Sequence, residues 1–342
     1  MSHAVTIKDV AQKARVSEAT VSLVLNQKTN VREETRQRVL KAIQELNYHP
    51  KRAARGLATR KSGNIGFILT DDHFSRAEPF YTKIFLGTEF EARKHNYYVL
   101  LTTVSKTFSA DEIPRFLLEK NVDGVILAGH VPVKLVDYIQ KQELPVVLVD
   151  FNVPRSRVST VLIDNERGAY EAVKHLIHHG HQLIAFIGGD ISHPSISERL
   201  QGYRRALEEN KIGFNPAHCI TDEIYTGSED GYKAACKLLA VTPRPTAIFA
   251  ANDAMAIGAI KCLKEHGLRV PEDVAVIGFD DIEDDFHVEP HLTTMRVFKE
   301  ELGALAVRRI VEMIETTNPS ITTNHVPVEL VVRESCGTHQ KL

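Results

Sequence analysis

The chain has 342 residues, 43% of them hydrophobic and 25% charged, and a formal net charge of −2 at pH 7. That length suits two or three folded domains, and the composition excludes a disordered or fibrous chain. No apolar run approaches the roughly 20 residues of a membrane span, so no transmembrane helix is expected.

The charge is unevenly placed. Residues 1–61 hold 13 Lys and Arg against 5 Asp and Glu, a net of +8; the rest hold 29 against 39, a net of −10. A basic head on an acidic body points to a polyanionic partner for the head alone. The opening MSHAVTIKDV has no apolar signal core, so the expectation is a cytoplasmic chain. Cys219, Cys236, Cys262 and Cys336 are scattered without metal-type spacing, and read as reduced, mostly buried thiols.

In chain order, Thr6 to Asn26 (TIKDVAQKARVSEATVSLVLN) predicts two short helices around a tight turn. Thr6 and Asp9 form a capping-box pattern. Ile7, Val10, Ala11 and Ala14 recur at helical spacing, Arg15-Val16-Ser17 makes the turn, and Ser17 is placed to cap the second helix. Val21, Val24 and Leu25 supply that helix's buried stripe. This is a helix-turn-helix pattern, whose second helix enters the DNA major groove. A third helix is expected over Arg32–Asn47, with Val39, Leu40, Ile43 and Leu46 inward.

The basic segment Pro50–Gly63 follows as a linker. Leu57 is its only large apolar side chain, suited to packing on the body or to wedging between base pairs in the minor groove. From Asn64 the chain alternates strands (NIGFIL, YYVLLT, DGVILA, LPVVLVD, TVLI, LIAFIG, HCIT, TAIFAA, VAVIGF) with amphipathic helices. The helices are expected near Tyr81–His95, Asp111–Lys120, Arg167–His179, Ser197–Asn210, Ser228–Ala240 and Asp253–Glu265. Such alternation means parallel sheets, which place ligands at the C-terminal strand edge. There are too many strands for one compact sheet, so two α/β lobes are expected.

Sites for covalent chemistry are missing from the sequence: there is no GxxxxGK[ST] loop, GxSxG elbow or HExxH. His175 and His179 would share a helix face as a metal pair, but Gly180 ends the helix there, and polar residues near a C-terminus have their own reason. In the acidic cluster Asp280, Asp281, Glu283, Asp284 and Asp285, one acid is expected to face a ligand and the others solvent. Arg199, at the mouth of a cleft, suits a carboxylate, a phosphate or vicinal hydroxyls, or a plain surface ion pair.

IKDVAQKARVSEATVSLVLN, ARGL, DNERGAYEAVKHLIHHGH, ERLQGYRRAL, AANDAMAIGAI, VPEDVAVIGFDD with LTTMR, and VPVELVVRES together resemble the LacI/GalR family of bacterial transcription regulators. The resemblance covers essentially the whole chain. It implies an α/β fold: a three-helix head (1–49), a hinge linker (50–63) and a two-lobed core like type I periplasmic sugar-binding proteins (64–342). Lobe 1 would hold about 64–163 and 293–324, and lobe 2 about 164–292 and 325–342, with crossovers near Ile163, Leu292 and His325.

By motif, Glu18, Ala19 and Leu23 would read bases, Ser17, Thr20, Ser22 and Asn26 would meet phosphates, and Ala54 and Leu57 would enter the minor groove. The family often has Arg at the place of Leu23 and Gly at that of Arg15. Leu23 cannot pair with guanine, and a thymine methyl is its physical alternative. Phe80, Tyr81, Asp150, Arg199, Asn252 and Asp280, with Tyr225 as a further wall, match effector contacts. Aromatic faces with Asp, Asn and Arg suit a polyhydroxylated ligand such as a sugar or its derivative. The loop TDDHFSRAEPF is longer than usual, and Asp71, Asp72, His73 and Arg76 could cover the cleft.

The resemblance therefore implies a homodimeric repressor on a near-palindromic DNA operator, under a carbohydrate-like effector and without cofactor or metal. The alternatives are a transport-type solute-binding protein that shares only the core, and an enzyme on that core.

Overall fold

The computed structural model describes residues 5–25, 31–48, 61–71, 80–154 and 156–337. The chain divides into two compact units, Met1–Gly63 and Asn64–Leu342.

In the first unit α1 is Ile7–Ala14, α2 is Glu18–Leu25 and α3 is Glu33–Glu45. The Thr6 N–H and hydroxyl both donate to the Asp9 carboxylate at 2.7 Å, closing the first turn of α1. The turn after α1 runs through Arg15 in the left-handed region, φ 54°. That conformation costs an L-residue roughly 1–2 kcal/mol, which is why glycine suits this place. Ser17 Oγ accepts the Thr20 N–H at 3.2 Å and so caps α2. Val10, Ala11, Ala14, Val21, Val24, Val39 and Ala42 form the buried core of the head. Leu40 is 45% exposed, contrary to expectation. It lies about 100° round the helix from Val39, and Ala42 takes the inner place instead.

The second unit begins with β1 (Asn64–Thr70), α4 (Phe80–Lys94), β2 (Tyr98–Val104), β3 (Gly124–Ala128), α5 (Val133–Lys141), β4 (Val146–Val149) and β5 (Ser159–Ile163). It continues through α6 (Asn165–His178), β6 (Ile184–Ile187), α7 (Pro194–Glu209), β7 (Cys219–Ile220), α8 (Ser228–Leu239), β8 (Ala247–Ala250), α9 (Asp253–Glu265) and β9 (Ala275–Ile277). It ends with β10 (Thr294–Val297), α10 (Lys299–Glu315), β11 (Thr323–Val326) and β12 (Val328–Val331).

A six-stranded parallel sheet has the order β11-β5-β4-β3-β1-β2, and a four-stranded parallel sheet the order β7-β6-β8-β9. β10 and β12 pair antiparallel. Bridges from Ile277 to Thr293 and from Asp280 to Arg296 set that pair against the end of β9. β1–β5 and β11 thus share the six-stranded sheet and β6–β9 the four-stranded one, while Thr294–Val297, just after Leu292, pairs with β12.

Several elements differ from expectation, and α10 and strands β10–β12 are not among those the sequence predicts. The helix expected over Asp111–Lys120 is only two single turns, Ala110–Glu112 and Arg115–Leu118, split by extended Ile113 before Pro114. α5, not expected, buries Leu135, Val136 and Ile139. β2 is an edge strand, with Tyr98 63% exposed.

Candidate functional site

The core's candidate site lies where the strands of both sheets end. Asp150 follows β4, Asn252 follows β8, Asp280 follows β9, Phe80 and Tyr81 open α4, and Arg199 lies in the second turn of α7. A cavity of about 380 Å³ is lined by all six and by Tyr225. The seven core positions carried over by motif thus share one cavity.

The residues that look free in sequence are engaged with one another. Asp150 accepts the Tyr81 hydroxyl at 2.8 Å and the Ser195 hydroxyl at 3.0 Å, so one carboxylate joins α4 to α7 across the lobes. Burial, then the charge of Asp150, pushes the Tyr81 phenol well above its ordinary range. Arg199 is 4% exposed. It donates to Asn165 Oδ1 at 2.9 Å, to the Ala251 carbonyl at 2.5 Å and to Asp280 Oδ1 at 3.2 Å, and stacks on Phe279 with its guanidinium carbon 3.7 Å from the ring centroid. It is a buried anchor and not a surface ion pair. Asn252 is also a helix cap: its Oδ1 accepts the Met255 N–H at 2.9 Å, and its Nδ2 donates to the Thr226 carbonyl.

The acidic cluster departs from expectation. Asp280 and Asp281 both have positive φ, 120° and 55°, which non-glycine residues rarely adopt. Three cations hold this corner. Lys299 Nζ donates to both backbone carbonyls, while Arg296 and Arg333 donate to the Asp281 carboxylate at 2.6 and 2.5 Å. Asp285 is fully buried rather than solvated. Burial, then neighbouring Asp253, raises its carboxyl well above the usual range. Asp253 is itself buried and accepts the Thr294 hydroxyl at 2.6 Å.

Sequence reasoning missed Lys106, His130, Asp190, His193, Ser195 and Asp230, all of which line the cavity. His130 and the Asp190–Ser195 segment follow β3 and β6, so the strand-end rule could have found them. Burial lowers the pKa of His193, and its Nδ1 has no hydrogen-bond partner among the described residues. Asp71 is described and exposed; Asp72, His73 and Arg76 lie outside the described residues.

In the head, Ser17, Glu18 and Ala19 are exposed at the start of α2, and Thr20, Ser22 and Leu23 are partly exposed. Glu18, Ala19, Ser22 and Leu23 share the helix face opposite buried Val21 and Val24. Asn26, Ala54 and Leu57 lie outside the described residues.

The metal pair considered at His175 and His179 takes another form: His175 Nε2 lies 3.4 Å from Cys336 Sγ, and His179 Nδ1 meets the His175 carbonyl. The cysteines are less scattered in space than in sequence, since Cys236 and Cys262 bring their Sγ atoms to 2.7 Å.

Residues 6–51 match bacterial regulatory proteins of the lacI family, and residues 173–336 match a periplasmic binding protein-like domain. The HTH-type transcriptional repressor PurR of Aliivibrio fischeri (strain MJ11) is 35% identical over 335 residues, covering 96% of this chain and 98% of the relative. The chain belongs to the lacI family of bacterial regulatory proteins.

As a LacI-family protein it is a DNA-binding transcriptional regulator. Its fold matches that of the lac repressor dimer bound to operator and the anti-inducer ONPF, with a TM-score of 0.81 at 29% identity over 98% of this chain and 99% of that one. The transcriptional regulator CelR in complex with cellobiose gives a TM-score of 0.73 at 33% identity over 97% and 99%. The matched families and these relatives are described as regulatory proteins, repressors and a periplasmic binding protein-like domain. Among the described residues no helix is long and apolar enough to cross a membrane.

Proposed function

We propose that this LacI-family regulator is a homodimeric repressor. Its two heads read the halves of a near-palindromic operator, and a small polyhydroxylated effector, a sugar or sugar derivative, controls it from the interlobe cleft. The single observation that carries the effector reading is the cavity itself: the aromatic faces of Phe80, Tyr81 and Tyr225 meet Asp150, Arg199, Asn252 and Asp280 at the ends of two sheets. Apolar ring faces of a sugar stack on aromatic side chains while its hydroxyls exchange hydrogen bonds with the polar groups. CelR bound to cellobiose and the lac repressor bound to operator support the same class of ligand and of DNA site.

The homodimer reading rests on symmetry and on exposed apolar surface. A near-palindromic operator asks for a two-fold protein. Leu86 and Phe90, one turn apart on α4, are 40% and 54% exposed, and Tyr98 and Leu101 stand exposed on edge strand β2. In the head, Ser17, Glu18, Ala19, Thr20, Ser22, Leu23 and Asn26 would meet DNA. Glu18 would accept from cytosine, Leu23 would touch a thymine methyl, and Ala54 and Leu57 would enter the minor groove. The effector acts by preferring one lobe geometry over another and so shifting the linker–DNA equilibrium.

A thermal-shift panel of sugars, sugar phosphates, nucleosides and purines tests the effector. A ligand at a hundredfold excess over Kd should stabilise the core by about 2.7 kcal/mol. A response to purines alone, with none to sugars, overturns the carbohydrate reading. Operator affinity should fall with salt at a log–log slope of about 0.9 per phosphate neutralised. A flat salt response overturns the DNA reading of the basic head.

A further inference from the structure

α8 and α9 run side by side with their backbones in close contact. A Cβ on Gly231 would overlap the Met255 carbonyl, and one on Gly258 would overlap the Ser228 carbonyl. Two glycines therefore allow an approach that any other residue would prevent. About one helical turn further along, this approach brings together Cys236 on α8 and Cys262 on α9, which lie 26 residues apart in sequence and whose Sγ atoms are 2.7 Å apart.

A third group joins them. His266 caps the C-terminal end of α9, and its Nδ1 is 3.8 Å from Cys262 Sγ. The two sulfurs and the imidazole nitrogen all lie within 4.8 Å of one another, the one such cluster of possible metal ligands among the described residues. Cys262 is buried, Cys236 half-buried and His266 exposed, so the cluster has an inner wall and an open side. None of the cleft chemistry or DNA reading uses these residues.

We propose that Cys236, Cys262 and His266 form a Zn²⁺ site between α8 and α9. Two thiolates and a neutral imidazole are a donor set zinc favours, with the fourth tetrahedral position left to water on the open side. Binding replaces the two thiol protons, which leave to solvent, so the charge of the ion is balanced by the two thiolates. Zinc–sulfur bonds of about 2.3 Å set the sulfurs about 3.8 Å apart in a tetrahedron. The pair must therefore open by about 1 Å, which half-buried Cys236 can supply. The imidazole must release the Cys262 carbonyl, which its Nδ1 contacts at 2.8 Å.

The site would pin together the C-terminal ends of α8 and α9. The first turns of the same helices, at Gly227, Asp230 and Asn252, line the cleft. Zinc would thus fix the spacing of two elements that shape the effector cavity, without touching the effector.

The test uses the full chain under a phosphine reductant, titrated with Cd²⁺ and Zn²⁺. The expected result is one cation per chain, a thiolate-to-cadmium absorption band that zinc abolishes, and a raised melting temperature with zinc. Cys262→Ser risks the fold because Cys262 is buried, so Cys236→Ser and His266→Ala carry the test. Their metal-free melting temperatures serve as the folding control. Each should weaken zinc by more than the roughly 10–100-fold that follows loss of an outer-shell partner. The cadmium band should shrink in Cys236→Ser and persist in Cys219→Ser. No band in the wild type, or an equal band in Cys236→Ser, overturns the site. So does peptide mapping of the unreduced chain that finds Cys236 and Cys262 joined as a disulfide.

Discussion

Arg199→Ala is the perturbation whose outcome the structure changes most. Read from sequence, it removes one effector contact and leaves the rest of the protein alone. In the structure its guanidinium is 4% exposed, bonds Asn165, Ala251 and Asp280, and lies on the Phe279 ring. Truncation leaves the Asp280 carboxylate and the Ala251 carbonyl without these donors. Breaking a buried ion pair by removing one partner costs about 3–5 kcal/mol. That is a large part of the roughly 5–15 kcal/mol that holds a typical domain folded. At about 2–4 °C per kcal/mol, a loss of about 3–5 kcal/mol should make the core melt roughly 6–20 °C lower. Because the chain has no tryptophan, calorimetry is the direct assay, with the core endotherm followed separately from the head. Arg199→Lys keeps the charge but loses the planar fork and the ring stack, so its melting temperature should fall between the two. Effector binding should be lost in both variants, measured below the variants' melting. A core endotherm for Arg199→Ala within about 1 °C of wild type would refute the buried-anchor argument.

Two further outcomes follow from buried polar groups of the core and a third from the sequence of the linker. Tyr81→Phe removes the hydroxyl that donates to Asp150 and should cost about 1 kcal/mol. Because the folded Tyr81 pKa is raised, its stabilising share is lost as pH climbs from the ordinary phenol value of about 10 through that raised value; wild type and variant should therefore release equal numbers of phenolic protons in alkali before unfolding, and an extra proton from wild type counts against it. The raised Asp285 pKa means that wild type loses stability as pH rises above the ordinary carboxylate value, since the unfolded chain releases a proton the folded core keeps. Asp285→Asn removes that dependence, so its melting temperature should gain on wild type between pH 5 and 8 (the window lying above the ordinary carboxylate pKa of about 3.9), and a gain in the opposite direction rejects the protonated carboxyl. Leu57→Ala should weaken operator binding more than nonspecific binding in a gel-shift titration, and equal losses reject the minor-groove wedge.

Local signals determined much of this protein. Thr6, Asp9 and Ser17 specify the start of α1 and the cap of α2 through groups within a few residues of each other. Short runs of Val and Ile specify strands buried on both faces, and strand-end positions then mark the cleft. These effects act over one turn or one strand, so they are legible without a fold. Local composition misled where neighbours override it: Pro114 broke an expected helix, and Leu40 turned outward while Ala42 went in.

What the tertiary structure alone decided is how the polar groups pair. Asp150 with Ser195, Arg199 with Asp280, and Arg333 with Asp281 join residues 45, 81 and 52 positions apart. The meeting of Cys236 with Cys262 depends on two glycines letting α8 and α9 touch. No window of sequence holds such distances. They are set by crossovers between parallel strands, which bring strand ends from distant parts of the chain to one edge. Residue chemistry at the strand ends marks candidates for binding, while the packing of two lobes sets which of them are already bonded to each other.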